Sequence, residues 1–104
     1  MSQKDEEQAA IEEEIGRTRI PRGNEIIGKV MLLLGGSRMK VDCQDGKERI
    51  CRIPGKIRRK IWIREGDYVL VVPWEINGDK NGDITWRYSK IQSDYLKQRG
   101  VIKI

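Results

Sequence analysis

The sequence has 104 residues, a length that suits one domain with a single core. It contains no histidine, which removes the usual general base, the commonest metal ligand and any imidazole pH switch. Its two cysteines, Cys43 and Cys51, lack the paired spacing of a zinc site, so we predict no metal and no cofactor. The longest apolar run, Val30–Leu34, falls far short of the roughly 18 residues that span a bilayer, and no secretory signal is visible. We expect a cytoplasmic protein with reduced thiols and no membrane association.

Charge is unevenly distributed along the chain. The formal net charge is +5, but residues 1–14 hold one lysine against six acids. The other 90 residues carry 20 basic and 10 acidic groups, a net charge of +10. A domain this basic favours polyanions, of which nucleic acid is the commonest. We predict that residues 1–22 form a flexible tail, acidic over 1–14 and then basic, because they can bury little surface.

Two strands are predicted after the tail. The first begins at Glu25 and ends at Gly35-Gly36. Gly28 within it suggests a bulge or bend, which lets a strand coil around a small barrel. From Met39 to Cys43, apolar and polar residues alternate with the period of a half-buried strand.

A hairpin is predicted to join the second strand to a third, over residues 48–53. Asp45-Gly46 is typical of a two-residue turn. That turn would place Cys43 opposite Glu48 and Cys51 opposite Lys40. The two thiols would then point to opposite faces of the sheet.

The second half of the chain is predicted to hold a short helix, two strands and a second helix. Gly55–Lys60 allows one or two helical turns, and Tyr68–Trp74 is the most apolar strand. Ile84–Tyr88 alternates as a fifth strand. Ser93-Asp94 would cap a short C-terminal helix that Gly100 ends.

Five short strands with a brief helix between the third and fourth follow the order of an OB-fold barrel, although periodicity alone equally allows an SH3-like barrel. The predicted class is therefore all-β. We divide the chain into a tail (1–22), an OB-fold RNA-binding domain (23–92) and a short C-terminal helix and tail (93–104).

The stretch Arg49–Ile63 is the strongest functional signal. With Arg64 it carries seven basic side chains and no acid, and isoleucines recur along it. Trp62 follows the densest charge. Phosphates would supply affinity for RNA and an aromatic face would offer a stacking platform. The alternative is a solvated basic helix with Trp62 in the core.

The same stretch resembles a known family. Gly55–Ile63, together with Asp45–Lys47 and Arg49–Ile53, is similar to translation initiation factor 1A, and more loosely to bacterial initiation factor 1. Residues 67–71 and 83–88 fit the last two strands of that family. The resemblance covers residues 17 to about 96, and the acidic opening without a long acidic C-terminal extension is similar to the archaeal branch.

The resemblance implies a non-catalytic factor in the aminoacyl (A) site of the small ribosomal subunit. It would bind ribosomal RNA, block elongator tRNA, and promote initiator methionyl-tRNA binding and start-codon selection. Its partners would be the small subunit, the initiator tRNA complex and other initiation factors, including the GTPase factor 5B, and the protein itself would be a monomer. The implied RNA-binding residues are Arg38, Lys40, Lys47, Arg49, Arg52, Lys56, Arg58, Arg59, Lys60, Trp62 and Arg64. The implied RNA contacts of the tail are Arg17, Arg19 and Arg22.

Three other classes of function remain open from the residues. A general OB-fold RNA-binding protein or RNA chaperone shares the barrel, but such domains depend on rows of surface aromatics. An adaptor would use the basic face to recognise an acidic protein. An enzyme is disfavoured, because a cysteine without histidine has no base and no glycine-rich phosphate loop is present.

Overall fold

The computed structural model describes residues 3–58 and 61–104. A closed barrel of five strands forms the body, in the order β1-β2-β3-β5-β4. The β3–β5 pair is parallel and the other pairs are antiparallel. The predicted OB-fold barrel is confirmed, including the short helix between β3 and β4 and the C-terminal helix. The elements are α1 (Gln3–Gly16), β1 (Ile26–Gly35), β2 (Arg38–Cys43), β3 (Glu48–Arg52), α2 (Gly55–Arg58), β4 (Tyr68–Pro73), β5 (Asn81–Arg87) and α3 (Lys90–Gln98).

β4 is buried on both faces, which explains its continuous apolar sequence. Val69 and Val71 point into the barrel, where they join the main core cluster. Tyr68 and Leu70 point the other way, into a second cluster that α3 and the C-terminal residues cover. The barrel therefore has one interior core and one core beneath α3.

The register of the β2–β3 hairpin differs from the prediction by one residue. Asp42 pairs with Glu48 and Met39 pairs with Cys51, so the predicted two-residue loop does not form. The turn closes with the Gly46 amide donating to the Cys43 carbonyl at 3.0 Å, and Gly46 takes a φ of +87°. A longer hairpin loop of this kind ends in a left-handed residue, a position that glycine favours.

That register places both thiols inside the barrel. Cys43 is 4% exposed and Cys51 is 0% exposed, and both are free. The prediction that they point to opposite faces was wrong, because a one-residue shift moves every side chain of a strand to the other face.

Gly28 serves close packing, and the register irregularities of β1 lie further along the strand. A Cβ atom built on Gly28 would lie 2.4 Å from Cγ1 of Val41 on the neighbouring strand, so only glycine fits there. The register shifts fall between Val30 and Leu32 and between Leu33 and Gly35. The prediction of a bulge at Gly28 itself was therefore wrong.

Helix α1 occupies much of the predicted tail. Disorder was the default expectation for residues 3–16, and the structure instead forms a helix there. Glutamate, glutamine and alanine are good helix formers, acids occupy the first turn, and Arg17 pairs with Glu13 one turn earlier. The Gln92 side chain of α3 donates to the Glu14 carbonyl at 3.2 Å. Flexibility of the segment as a whole stays a prediction.

The C-terminal helix α3 begins earlier than predicted. Ser89, rather than Ser93-Asp94, is the N-cap, and Gln92 completes a capping box with it. Ser93 is buried and donates its hydroxyl to the Ser89 carbonyl at 2.9 Å. Gly100, with φ of +75°, follows the helix end as predicted.

Candidate nucleic-acid interface

Helix α2 and the segment after it are held on the barrel by isoleucines. Ile53 is buried, and Ile57 and Ile63 pack against the main core. The Ile57 amide donates to the Pro54 carbonyl at 3.0 Å, which starts the helical turn. Lys56, between these anchors, is exposed. Ile53, Ile57 and Ile63 therefore anchor this part of the chain on the barrel and leave Lys56 exposed to solvent.

Trp62 lies on the surface. Its side chain is 76% exposed, while Ile61 and Ile63 on either side are half-buried. The alternative that placed Trp62 in the core is thereby removed. An indole this exposed is available for stacking with an unpaired base.

The tip of the basic stretch is only partly described. Arg58 is the last residue of α2, and its side chain is outside the described structure. Arg59 and Lys60 also lie outside the described residues. Arg64 is exposed, and its amide donates to the Asp67 carboxylate at 2.8 Å. The predicted contacts of Arg58, Arg59 and Lys60 stay predictions.

Three predicted basic residues share the outer face of β2 and β3. Arg38 pairs directly with Arg52 across the two strands, and Lys40 follows on the same face of β2. Lys40 pairs with Glu48 at 3.2 Å, and Arg52 pairs with Asp83 at 3.5 Å. These ion pairs are open to solvent, so a polyanion can compete for them.

Lys47 sits at the β2–β3 turn and pairs with Asp79 at 2.6 Å. The Lys47 ammonium group lowers the pKa of the Asp79 carboxyl by hydrogen bonding and charge. Lys47 is exposed, so its ammonium group remains accessible beside the loop that carries Asp79.

Arg49 is buried and does not lie on the exposed basic face. Its side chain is 2% exposed. In the β2–β3 register Arg49 lies opposite the buried Val41, so the two side chains share the inner face of the sheet. The guanidinium donates to both oxygens of Asp45 at 2.9 and 2.8 Å and to the Gly78 carbonyl at 2.5 Å. The assignment of Arg49 to the RNA face was wrong for the same reason as the cysteine faces, because the one-residue register shift turns its side chain inward.

The hydrogen bonds between Arg49 and Asp45 favour the charged forms of both side chains. Hydrogen bonding from Arg49 lowers the pKa of the Asp45 carboxyl, although partial burial opposes this. The same bond raises the pKa of the Arg49 guanidinium. Arg49 therefore stays charged and joins the hairpin to the β4–β5 loop.

The basic part of the tail is placed beside α2. The buried Tyr88 hydroxyl donates to the Arg19 carbonyl, and the Arg19 guanidinium lies 5.2 Å from the centre of the Trp86 ring. A cavity of about 560 Å³ there is lined by Arg19, Lys56 and Trp86, among others. The structure thus brings one tail arginine next to the barrel's basic segment.

The other two tail arginines have different surroundings. Arg17 is paired with Glu13 of α1, and Arg22 is exposed. The Arg22 amide donates to the Glu25 carboxylate at 3.0 Å, so a backbone contact holds that residue.

Trp74 is a surface aromatic that sequence reasoning assigned to the end of a strand. It is 40% exposed, its Nε1 donates to Asp83 Oδ1 at 3.0 Å, and the Arg52 guanidinium lies 5.6 Å from its ring centre. The signal available in the sequence was its position directly after Pro73, where a strand leaves the sheet.

Both thiols are buried, which disfavours their ionised form. Burial raises the pKa of the Cys51 thiol to about 12 and also raises that of Cys43. Within 3–58 and 61–104, no group of three or more histidine, cysteine or acidic side chains is placed to hold a metal ion. No helix in those ranges is long and apolar enough to span a bilayer. Charge, hydrogen bonding and stacking are what this surface presents.

Known proteins match this chain over most of its length. The family model described as Translation initiation factor 1A / IF-1 matches residues 14–104. Translation initiation factor 1A of Methanococcus aeolicus is 53% identical over 89 residues, which cover 84% of this chain and 85% of that protein. The factor of the same name from Pyrococcus abyssi is 50% identical, over 86% of this chain and 80% of that protein.

A solved structure agrees with these relatives. The solution structure of bacterial translation initiation factor 1 from a Wolbachia endosymbiont of Brugia malayi matches with a TM-score of 0.52 and 38% identity. The match covers 69% of this chain and 84% of that one. With a family model spanning most of its residues and archaeal relatives about half identical to it, this chain belongs to the translation initiation factor 1A / IF-1 family.

Proposed function

We propose that this initiation factor binds the A site of the small ribosomal subunit through ribosomal RNA, with α2 and Trp62 at the centre of the contact. The observation that carries the proposal is the 76% exposure of Trp62 directly after a run of basic residues on an anchored segment. A folded ribosomal RNA surface offers phosphate charge, shape and splayed bases, which suit such a surface.

The proposed RNA-binding set follows the sequence analysis with one change. Arg49 leaves it, because its guanidinium is buried against Asp45. The proposed contacts are Arg38, Lys40, Lys47, Arg52, Lys56, Arg58, Arg59, Lys60, Trp62 and Arg64, with Arg17, Arg19 and Arg22 in the tail. Each phosphate neutralised adds about 0.7 to 0.9 to the salt dependence of log affinity.

The proposed mode of action is steric exclusion. The family is not an enzyme family, and the two thiols are buried, which makes them poor nucleophiles. A barrel seated in the A site excludes elongator tRNA because two bodies cannot share the site. The same occupation favours the subunit state that accepts initiator methionyl-tRNA and selects the start codon. We expect the factor to act in the cytoplasm, as a monomer on each subunit.

The C-terminal segment bears on the proposed contact with the GTPase factor 5B. Ile102 is buried in the second core, and Gln44 holds the backbone on either side of it. The Gln44 side chain donates to the Val101 carbonyl at 2.9 Å and accepts from the Lys103 amide at 2.8 Å. A partner that uses these final apolar residues must therefore displace them from the barrel, whereas Ile104 is already 41% exposed.

Co-sedimentation with purified ribosomal subunits tests the proposal. The factor should pellet with small subunits and not with large subunits at near-physiological salt, and excess elongator tRNA in the A site should compete with it. Equal binding to both subunits and to bare RNA would instead indicate a general RNA chaperone. Binding to neither subunit by a well-folded protein would overturn the proposal.

A further inference from the structure

The outer face of the barrel carries a row of side chains that runs across four strands. Arg38 of β2 pairs with Arg52 of β3, Arg52 pairs with Asp83 of β5, and Asp83 pairs with Val72 of β4. Residues paired directly across strands project to the same side of a sheet. Trp74 lies two residues beyond Val72, at the end of this row.

Two like charges stand opposite each other in this row. Arg38 and Arg52 are directly paired, and like charges in that position are destabilising. Asp83 neutralises Arg52 at 3.5 Å, whereas Arg38 has no ion pair with any acid in the described structure. The Arg52 side chain is still 56% exposed. An anion placed between the two guanidinium groups would relieve their repulsion.

The aromatic ring beside them is held in a fixed orientation. Asp83 accepts the Trp74 indole N–H at 3.0 Å and also pairs with Arg52, whose guanidinium lies 5.6 Å from the ring centre. A cavity of about 520 Å³ adjoins the ring and is lined by Arg52, Val72, Pro73, Trp74, Ile76 and two acidic residues, Glu75 and Asp83. A ring oriented by its neighbours loses little side-chain entropy when a flat group stacks on it.

We propose that Arg38, Arg52 and Trp74 form an RNA subsite for one unpaired nucleotide, in addition to the contact proposed for α2 and Trp62. The base stacks on Trp74 within the cavity, and the adjoining phosphate bridges the two guanidinium groups. The inference deepens the proposed function and rests on it, since it assigns a second contact to the same RNA partner.

A protein ligand fits these observations less well. Ile76 in the same cavity is 79% exposed, and an apolar peptide would use it together with Trp74. Such a peptide would leave the Arg38–Arg52 repulsion in place, whereas a phosphate removes it.

Affinity for a short single-stranded RNA and for small subunits, measured on variants of the whole chain, tests the subsite. Trp74→Ala should weaken RNA binding about tenfold, the lower part of the range for one stacked base. Trp74→Phe keeps a ring without the indole N–H and should restore most of that loss. Arg38→Ala should lower the salt dependence of log affinity by about 0.7, one phosphate contact on a single strand.

Ile104→Ala, at an exposed apolar side chain outside the proposed RNA-binding residues, is the control and should bind RNA like the parent chain. Melting curves of each variant separate lost binding from lost folding. Photo-crosslinking of thiouridine-substituted RNA should mark the peptide that contains Trp74.

Normal RNA affinity in folded Trp74→Ala and Arg38→Ala, with binding still weakened in Trp62→Ala, would overturn the subsite and leave the proposed function standing. Loss of RNA binding in Ile104→Ala as large as in Trp74→Ala would also overturn it, because the loss would then not depend on this cavity. Failure of the parent chain to bind any RNA would remove both proposals.

Discussion

Arg49 donates two hydrogen bonds to the Asp45 carboxylate, at 2.9 and 2.8 Å, from a side chain that is 2% exposed. A third bond, to the Gly78 carbonyl, links the β2–β3 hairpin to the β4–β5 loop. This arginine therefore stabilises the fold, although it stands in the most basic stretch of the sequence. Arg38, further along the same pair of strands, has the opposite character, because it is exposed and has no acidic ion-pair partner in the described structure.

Replacing Arg49 should destabilise the protein without affecting the RNA surface. Arg49→Ala leaves the Gly78 carbonyl without its donor and Asp45 without its partner, so we expect a loss of about 2 to 3 kcal/mol in the free energy of unfolding. Arg49→Lys keeps the charge but cannot donate two parallel hydrogen bonds to Asp45, so it should recover only part of that loss. Chemical denaturation measures both. An Arg49→Ala chain of normal stability with weakened RNA binding would contradict the assignment.

The same ion pair predicts a pH dependence of stability. Arg49 holds the pKa of Asp45 below its ordinary value of 3.8 in the folded chain. A depressed carboxyl pKa contributes stability that is present above the unfolded value and is lost as pH falls through the folded value. The contribution of this pair should therefore be complete above about pH 5 and decline below about pH 4.

Comparison of the parent chain with Asp45→Asn isolates that contribution. The difference in melting temperature between the two should be largest near neutral pH and should shrink in acid. A difference that stays constant from neutral pH to strongly acidic pH would show that Asp45 does not titrate as the structure requires.

Trp62 should affect binding and not folding. Because its side chain is 76% exposed, Trp62→Ala should change the free energy of unfolding by no more than about 0.5 kcal/mol. Loss of one stacked base should weaken small-subunit affinity about tenfold, and Trp62→Phe should restore much of it. A large fall in melting temperature with unchanged affinity would assign Trp62 a structural role.

Charge reversal at the end of α2 should abolish subunit binding. Arg58→Glu with Arg59→Glu changes the local charge by four units in the segment proposed to meet the RNA phosphates. Lys90→Glu with Lys103→Glu makes the same change at exposed positions outside that segment and serves as the control. Sedimentation at several salt concentrations measures both pairs. Equal losses in the two double variants would mean that overall charge, rather than this segment, determines binding.

Patterns of apolar residues were enough to predict a small barrel, because burial of one face of a strand produces them, although they did not separate the OB-fold from an SH3-like barrel. The double-faced burial of β4 produces an unbroken apolar strand, and the isoleucines around Lys56 mark an anchored segment. Turn chemistry was less decisive. Asp45-Gly46 suits a two-residue loop as well as the longer loop that forms, and that difference in register decides whether Arg49 and Cys51 point inward.

Contacts distant in sequence account for the rest of the differences. Helix propensity in residues 3–16 competes with chain entropy, and the bond from Gln92 to the Glu14 carbonyl joins that segment to α3. The orientation of Trp74 depends on Asp83 and Arg52, which lie on two other strands. A pattern read along the chain contains no information on such pairings.

Chemical footprinting of small-subunit ribosomal RNA tests the central claim most directly. With the factor bound, the account predicts protection of nucleotides in the decoding region of the A site. That protection should be lost in the Arg58→Glu, Arg59→Glu variant and retained in the Lys90→Glu, Lys103→Glu control. Protection confined to other regions of the subunit, or a footprint that the two double variants share, would contradict it.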